Sequence, residues 1–181
     1  MPAITGPALV VAALLALAGA QKVLDPTMTV GALRALGLPA AAVSVRIGAG
    51  VELALGVVAI TIGGPVTWSL IAASYVGFAV FVMVALRKGT MIGSCGCFGR
   101  DDTPPHPSHL ALNLLSAAVA VAAAGSSGAV LDHLLDRPGQ GVIVVALSAG
   151  ALYLVYAAYV ELPRALVAGR HRRDPRTPRA S

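Results

Sequence analysis

The chain alternates long apolar runs with short polar punctuation. No charge interrupts residues Pro2 to Ala20, and Gln21 and Lys22 close that run. About 20 apolar residues in a helix cross the hydrocarbon of a bilayer, which predicts span one at Pro7 to Val23. The alternative is a signal sequence, but the stretch lacks a basic leader and is longer than the usual apolar core of one. In "LDPTMTVGALRALGLP", Pro26 breaks the helix, and Thr27 or Thr29 caps a short helix ending at Gly37. Met28, Leu33 and Leu36 suit that helix to the membrane surface. Pro39 fits the first turn of span two, Pro39 to Ile62. "GGP" at Gly63 to Pro65 turns the chain into span three, Val66 to Leu86, which Arg87 and Lys88 stop. Ser108 is the expected N-cap of span four, Ser108 to Ala124. A loop with Asp132, His133, Asp136 and Arg137 precedes span five, Gly141 to Val160. Pro163 and a basic tail follow.

Composition agrees with this pattern. Hydrophobic residues make up 57 % of the 181 and charged residues only 12 %, against roughly 25 % charged in a soluble domain. The fold class is therefore all-α: an integral membrane helical bundle of four to five spans, because isolated backbone groups in lipid must be satisfied within a helix. Residues 1–162 form the transmembrane domain. Residues 163–181 form a basic tail expected to be disordered.

The net charge of +5 is unevenly placed, with six of the thirteen Lys and Arg between Arg164 and the end. Such a tail fits anionic lipid headgroups rather than nucleic acid. With five spans, Lys22, Arg34, Arg46, Arg87, Lys88, Arg100 and the tail share one face, and only Arg137 lies on the other. The positive-inside bias predicts a multi-pass cell-membrane protein with a cytoplasmic C-terminus and a cytoplasmic loop between spans three and four.

Few polar residues fall inside the spans, so each is a candidate. Glu52 sits near the middle of span two, where a carboxylate is costly unless paired, protonated or facing a cavity. Gly48 and Gly56, one turn either side, let another helix approach. Lys22 and Arg46 are both candidate partners, although Arg46 also has the reach to snorkel. Either the acid fixes helix register or it is a proton-linked or quinone-linked group. Asn113 in span four suits a hydrogen bond between helices. Tyr75, Phe78 and Phe81 read as packing or lipid-facing aromatics, and Tyr153, Tyr156 and Tyr159 as interfacial anchors.

Both cysteines lie in "KGTMIGSCGCFGRDDTPPHP", residues 88–107. Cys95 and Cys97 are separated by a glycine that relaxes the backbone. A disulfide between positions i and i+2 closes a small strained ring, and strain makes it more oxidising. Lys88, Arg100, His106 and His109 are basic groups able to favour a thiolate, which suits thiol–disulfide exchange. A metal site of Cys95, Cys97, His106 and His109 is the alternative by ligand type, and unreactive cysteines in a scaffold are the third.

Together with this loop, "AGAQKVLDP", "LGLP", "VELALG" and "HLALNLL" resemble the methylamine utilisation protein MauE family, within the DoxX-like membrane proteins. The resemblance runs from span one to span four, and "CGCFG" is its most specific part. It implies a DoxX-like four-helix core and a role in maturing the disulfide-rich small subunit of methylamine dehydrogenase. It also implies Cys95 and Cys97 as the redox pair, with Lys22 and Glu52 as accompanying polar residues. Leu112 stands where many members carry a basic residue before the span-four Asn, so His109 is the nearest basic group to Asn113. The expected partner is a thioredoxin-like or other redox protein. No residue specifies a cofactor, and a quinone stays open. The topology conflicts with a catalyst acting on exported proteins, whose cysteines belong outside. Electron transfer across the membrane, a cytoplasmic thioredoxin-like donor, or a span count differing by one would each resolve it.

Overall fold

The computed structural model describes residues 3–88, 105–125 and 128–173, with side chains through residue 158. Among the described residues the regular structure is seven helices and no strand: α1 Thr5–Leu24, α2 Thr27–Ala35, α3 Ala42–Thr61, α4 Pro65–Lys88, α5 Pro107–Ala124, α6 Val130–Leu135 and α7 Pro138–Arg173. Five of them (α1, α3, α4, α5 and the Pro138–Ala158 part of α7) are long and apolar enough to cross a membrane. The five expected spans are therefore present. Span one is an integral part of the bundle: half of α1 is buried, against 11 % of the crossing part of α7.

The boundaries differ from the sequence reading for local physical reasons. The short helix is not capped by the side chain of Thr27 or Thr29. Instead the Asp25 carboxylate accepts hydrogen bonds from the Thr27 amide at 3.1 Å and its hydroxyl at 2.5 Å. It ends in a Schellman turn, in which Leu38 N donates to Leu33 O and Gly37 N to Arg34 O. Gly37 takes the required left-handed conformation, φ +82°. Pro39 lies outside α3, which starts at Ala42. The Arg34 guanidinium donates twice to the Ala40 carbonyl, at 3.0 and 2.8 Å, and so ties that linker to α2. His106, not Ser108, caps α5. Pro107 is the first helical residue, and the His106 ring accepts from the Ser108 amide. The loop after span four contains a helix, α6, whose Asp132 carboxylate accepts from the Ala129 amide. Pro163 lies within α7, which continues to Arg173. An interior proline removes one backbone hydrogen bond and need not end a helix.

The spans alternate in direction. Arg46 at the start of α3 donates to the Val23 carbonyl at the end of α1. Lys88 at the end of α4 donates to the Leu36 carbonyl that closes α2, at 2.8 Å. These contacts gather the end of α1, all of α2, the start of α3 and the end of α4 at one basic end of the bundle. At the other end, Gly63 of the "GGP" turn packs on Gly128, so closely that a Cβ on Gly63 would fall 2.8 Å from the Gly128 carbonyl. Near that end the Ser148 hydroxyl of α7 reaches the Gly6 carbonyl of α1. Hence α7 runs parallel to α1 and its C-terminal part heads for the basic end.

The tightest seam joins α1 to α3. A Cβ on Gly19 would lie 2.6 Å from Ala49 O and Leu53 N; one on Gly56 would lie 2.5 Å from Ala12 O and 2.8 Å from Ala16 Cβ. Each helix thus offers a glycine to the backbone of the other, as small residues do when membrane helices pack closely. Gly48, expected on this seam, is not in it; its Cβ position is open, and Ala49 takes its place. On the other side, Trp68, Ile71 and Tyr75 of α4 bury against Ala117, Ala120 and Ala123 of α5 and the apolar face of α1. Replacing Gly19 or Gly56 with Leu should lower stability by about 1–3 kcal/mol or more through overpacking. Gly50→Leu, pointing into open space, should change it by less than ~0.5 kcal/mol. Thermal unfolding of the purified variants in one detergent checks both.

Candidate functional site

The seam that brings α1 and α3 together also brings together their one acid and one base at membrane depth. Lys22 lies one turn beyond Gly19, and Glu52 one turn before Gly56. Lys22 Nζ is 2.6 Å from Glu52 Oε2, with the side chains 4 % and 17 % exposed. Of the two expected partners, Lys22 is therefore the one that pairs with Glu52; Arg46 is spent on the Val23 carbonyl. The Lys22 ammonium also sits 4.5 Å from the centroid of the Phe78 ring in α4, an attraction that strengthens when desolvated. Phe78 in turn meets Tyr75 edge-on, at a centroid separation of 6.0 Å.

The polar series continues across the bundle. Tyr75 is buried, and its hydroxyl donates to the Val11 carbonyl of α1 at 2.8 Å, with Ser116 of α5 nearby. Asn113 and His109 occupy the same buried face of α5. The Asn113 amide donates at 2.8 Å to the His109 carbonyl one turn back, within its own helix, rather than only bridging helices as its position suggested. Tyr75 and Phe78 are packing aromatics, as expected, but they face the interior and the charged pair. Tyr75 and Ser116 did not stand out in the sequence as polar participants. Their only signal there is an aromatic pair three residues apart on α4, and one hydroxyl among alanines on α5.

Two cavities adjoin these residues. The smaller, about 280 Å³, is lined by Lys22 and Glu52, by Thr29, Ala32 and Leu33 of α2, by Val45, Gly48 and Ala49 of α3, and by Gly77, Phe78 and Phe81 of α4. The larger, about 610 Å³, lies between α1, α5 and α7. Its walls are aliphatic, with the hydroxyls of Thr5, Ser116 and Ser148 as the side-chain polar groups and no ionisable residue. Cys95 and Cys97 lie outside the described residues. No group of three or more His, Cys, Asp and Glu able to hold a metal occurs among the described residues. His106 Nδ1 is engaged by Ser108, 3.0 Å from its hydroxyl.

The chain matches the family described as Methylamine utilisation protein MauE over residues 2–126. It belongs to that family. No curated protein and no solved structure matches it. The MauE match ends just after α5, so the family's portion here is the four spans α1, α3, α4 and α5, with α2 laid across one end. It contains the whole polar series, both cysteines and the smaller cavity. In this MauE chain α6 and α7 are additional, and the larger cavity is completed only by α7.

A buried charge left without its partner is expensive, whereas a neutral pair of similar volume is tolerated. Lys22→Met or Glu52→Met alone should therefore destabilise the bundle by about 3–5 kcal/mol, and the double change Lys22→Met/Glu52→Met should recover most of that loss. A double-mutant cycle read by thermal unfolding in detergent checks this.

Proposed function

We propose that this MauE-family protein carries out thiol–disulfide exchange through Cys95 and Cys97 at the cytoplasmic face of the cell membrane. The observation that carries the reading is the placement of Cys-Gly-Cys in the MauE-matching segment between Lys88, the last residue of α4, and Pro107, the first of α5. One cysteine, as thiolate, attacks a disulfide sulfur of the partner and displaces its second sulfur as a thiolate. The other cysteine then attacks the mixed disulfide, which releases the partner as a dithiol and leaves Cys95–Cys97 oxidised. The reverse sequence oxidises a partner dithiol. A thioredoxin-like protein is the partner class this chemistry suits. Maturation of a disulfide-containing protein is the service it would perform in methylamine utilisation.

The cytoplasmic placement is supported by the charge bias and by the alternating direction of the spans. With α7 parallel to α1, the C-terminal part of α7, the end of α4 and the start of α5 fall on the same side. Lys88 is directed to the Leu36 carbonyl, which leaves Arg87 and Arg100 as the basic residues nearest in sequence to favour a thiolate.

A scaffold with uninvolved cysteines is the second reading. It is favoured by the structural use of Lys22, Arg46 and Lys88, each bonded to another helix. Trapping separates the two. In cells, Cys97→Ser should accumulate a mixed disulfide between Cys95 and a partner, or Cys95→Ser one through Cys97, and the double Ser variant should lose both the adduct and the function. Full function in the double variant excludes the exchange reading. An impermeant maleimide applied to intact cells should leave both cysteines unlabelled and react with them after permeabilisation; labelling from outside excludes the cytoplasmic placement.

A further inference from the structure

We infer that the cavity over the Lys22–Glu52 pair is a binding site for the ring of a membrane quinone. The inference rests on the exchange reading in one respect only: it supplies the electron acceptor that dithiol oxidation requires. The site itself is built wholly from described residues.

The cavity joins three features that a planar diketone needs and that lipid packing does not. The first is a desolvated cation with spare donors. The Glu52 carboxylate lies 2.6 Å from Nζ and the Phe78 ring centroid 4.5 Å from it. An ammonium carries three N–H groups, and one carboxylate oxygen cannot take all three, so a donor remains for a carbonyl oxygen. The second is a flat apolar wall, since Phe78 and Phe81 line the cavity from α4, and aromatic rings favour offset or edge-on contact with a second ring. The third is an entrance at membrane depth. Gly48 of α3 and Gly77 of α4 both line the cavity, both are exposed, and a Cβ on either would meet nothing within 4 Å. The wall between α3 and α4 is thus low at the side that faces lipid, where an isoprenoid tail can remain.

Size and position agree. About 280 Å³ is at the small end of ligand pockets, ~300 Å³, and suits one substituted ring rather than a whole lipid. α2 covers the cavity at the basic end with Thr29, Ala32 and Leu33, and Ala32 and Leu36 pack on Ala85, one turn beyond Phe81. The segment bearing the cysteines therefore leaves α4 about 10 Å along the helix from Phe81. In the coupled reaction, the two thiols lose two electrons and two protons as the sulfur–sulfur bond forms. The quinone gains the same two electrons and two protons and becomes the hydroquinone. The Lys22–Glu52 pair holds one carbonyl and is placed to pass it a proton. The larger cavity lacks any ionisable group and offers no such contact.

The test uses the full chain in lipid nanodiscs with decylubiquinone as probe, read by quenching of the single tryptophan, Trp68, and by equilibrium dialysis. Wild type should bind saturably, and the Cys95→Ser/Cys97→Ser variant should bind within twofold of it. Gly48→Leu and Gly77→Leu, which fill the cavity without touching the ion pair, should weaken binding at least tenfold while unfolding at the wild-type temperature. The double change Lys22→Met/Glu52→Met should do the same. Unsaturable uptake by wild type, or equal affinity in wild type and both glycine variants, overturns the site. Binding that follows these variants without hydroquinone forming from the reduced wild type upholds the site and overturns electron transfer to it from the cysteines. Trapped partner disulfides without quinone binding overturn the site and uphold the exchange reading.

Discussion

The structure depends on the close approach of α1 and α3. Their backbones meet at two glycines, Gly19 and Gly56, each of which leaves no room for a Cβ. Where the hydrophobic effect gives no advantage to helix association, packing and polar contacts must supply it. The two glycines provide the packing, and the Lys22–Glu52 pair, one turn from each, provides the polar contact. A wider seam would separate the charges and leave both in an apolar surrounding. The pair and the glycines are therefore one device, and a change at either is felt at the other.

The same seam fixes what lies around it. Lys22 emerges where α4 presents Phe78, so the ammonium is held between a carboxylate and an aromatic face. α2 closes this region because its C-terminal carbonyl is held by Lys88 and its last turn packs on Ala85. Two cations at the basic end are committed to helix C-termini, Arg46 to Val23 and Lys88 to Leu36, while Arg34 holds the α2–α3 linker at Ala40. Carbonyls at helix C-termini carry partial negative charge and lack intrahelical donors. Basic residues at this end thus also knit the bundle together. α7 stands apart, outside the family match and little buried.

This arrangement joins two kinds of chemistry at one end of a small membrane protein. The Cys-Gly-Cys lies in the sequence between α4 and α5, and a charged, aromatic-walled cavity lies beneath α2 within the family's own four spans. The proposed thiol exchange would use the first, and the proposed quinone the second. The end of α4, from which the cysteine-bearing segment continues, is seven residues beyond Phe81 of that cavity.

The amino-acid sequence alone determined the fold class, a bundle of four to five spans, the family resemblance and the polar residues worth following, because hydropathy over 20 residues and a charge inside an apolar run are local signals. It also marked Glu52 as needing a partner. It left two partners open, because Lys22 and Arg46 are both plausible by distance along the chain. Only the packing of α1 on α3 selects Lys22. Likewise Gly48 and Gly56 are equivalent in sequence, one turn either side of the acid, yet one is buried in the seam and the other opens a cavity, since helix rotation is set by the neighbouring helix. The caps at Asp25 and His106 and the binding of Lys88 to Leu36 were hidden for the same reason. Each depends on where the chain turns in space, and that is decided when the helices meet.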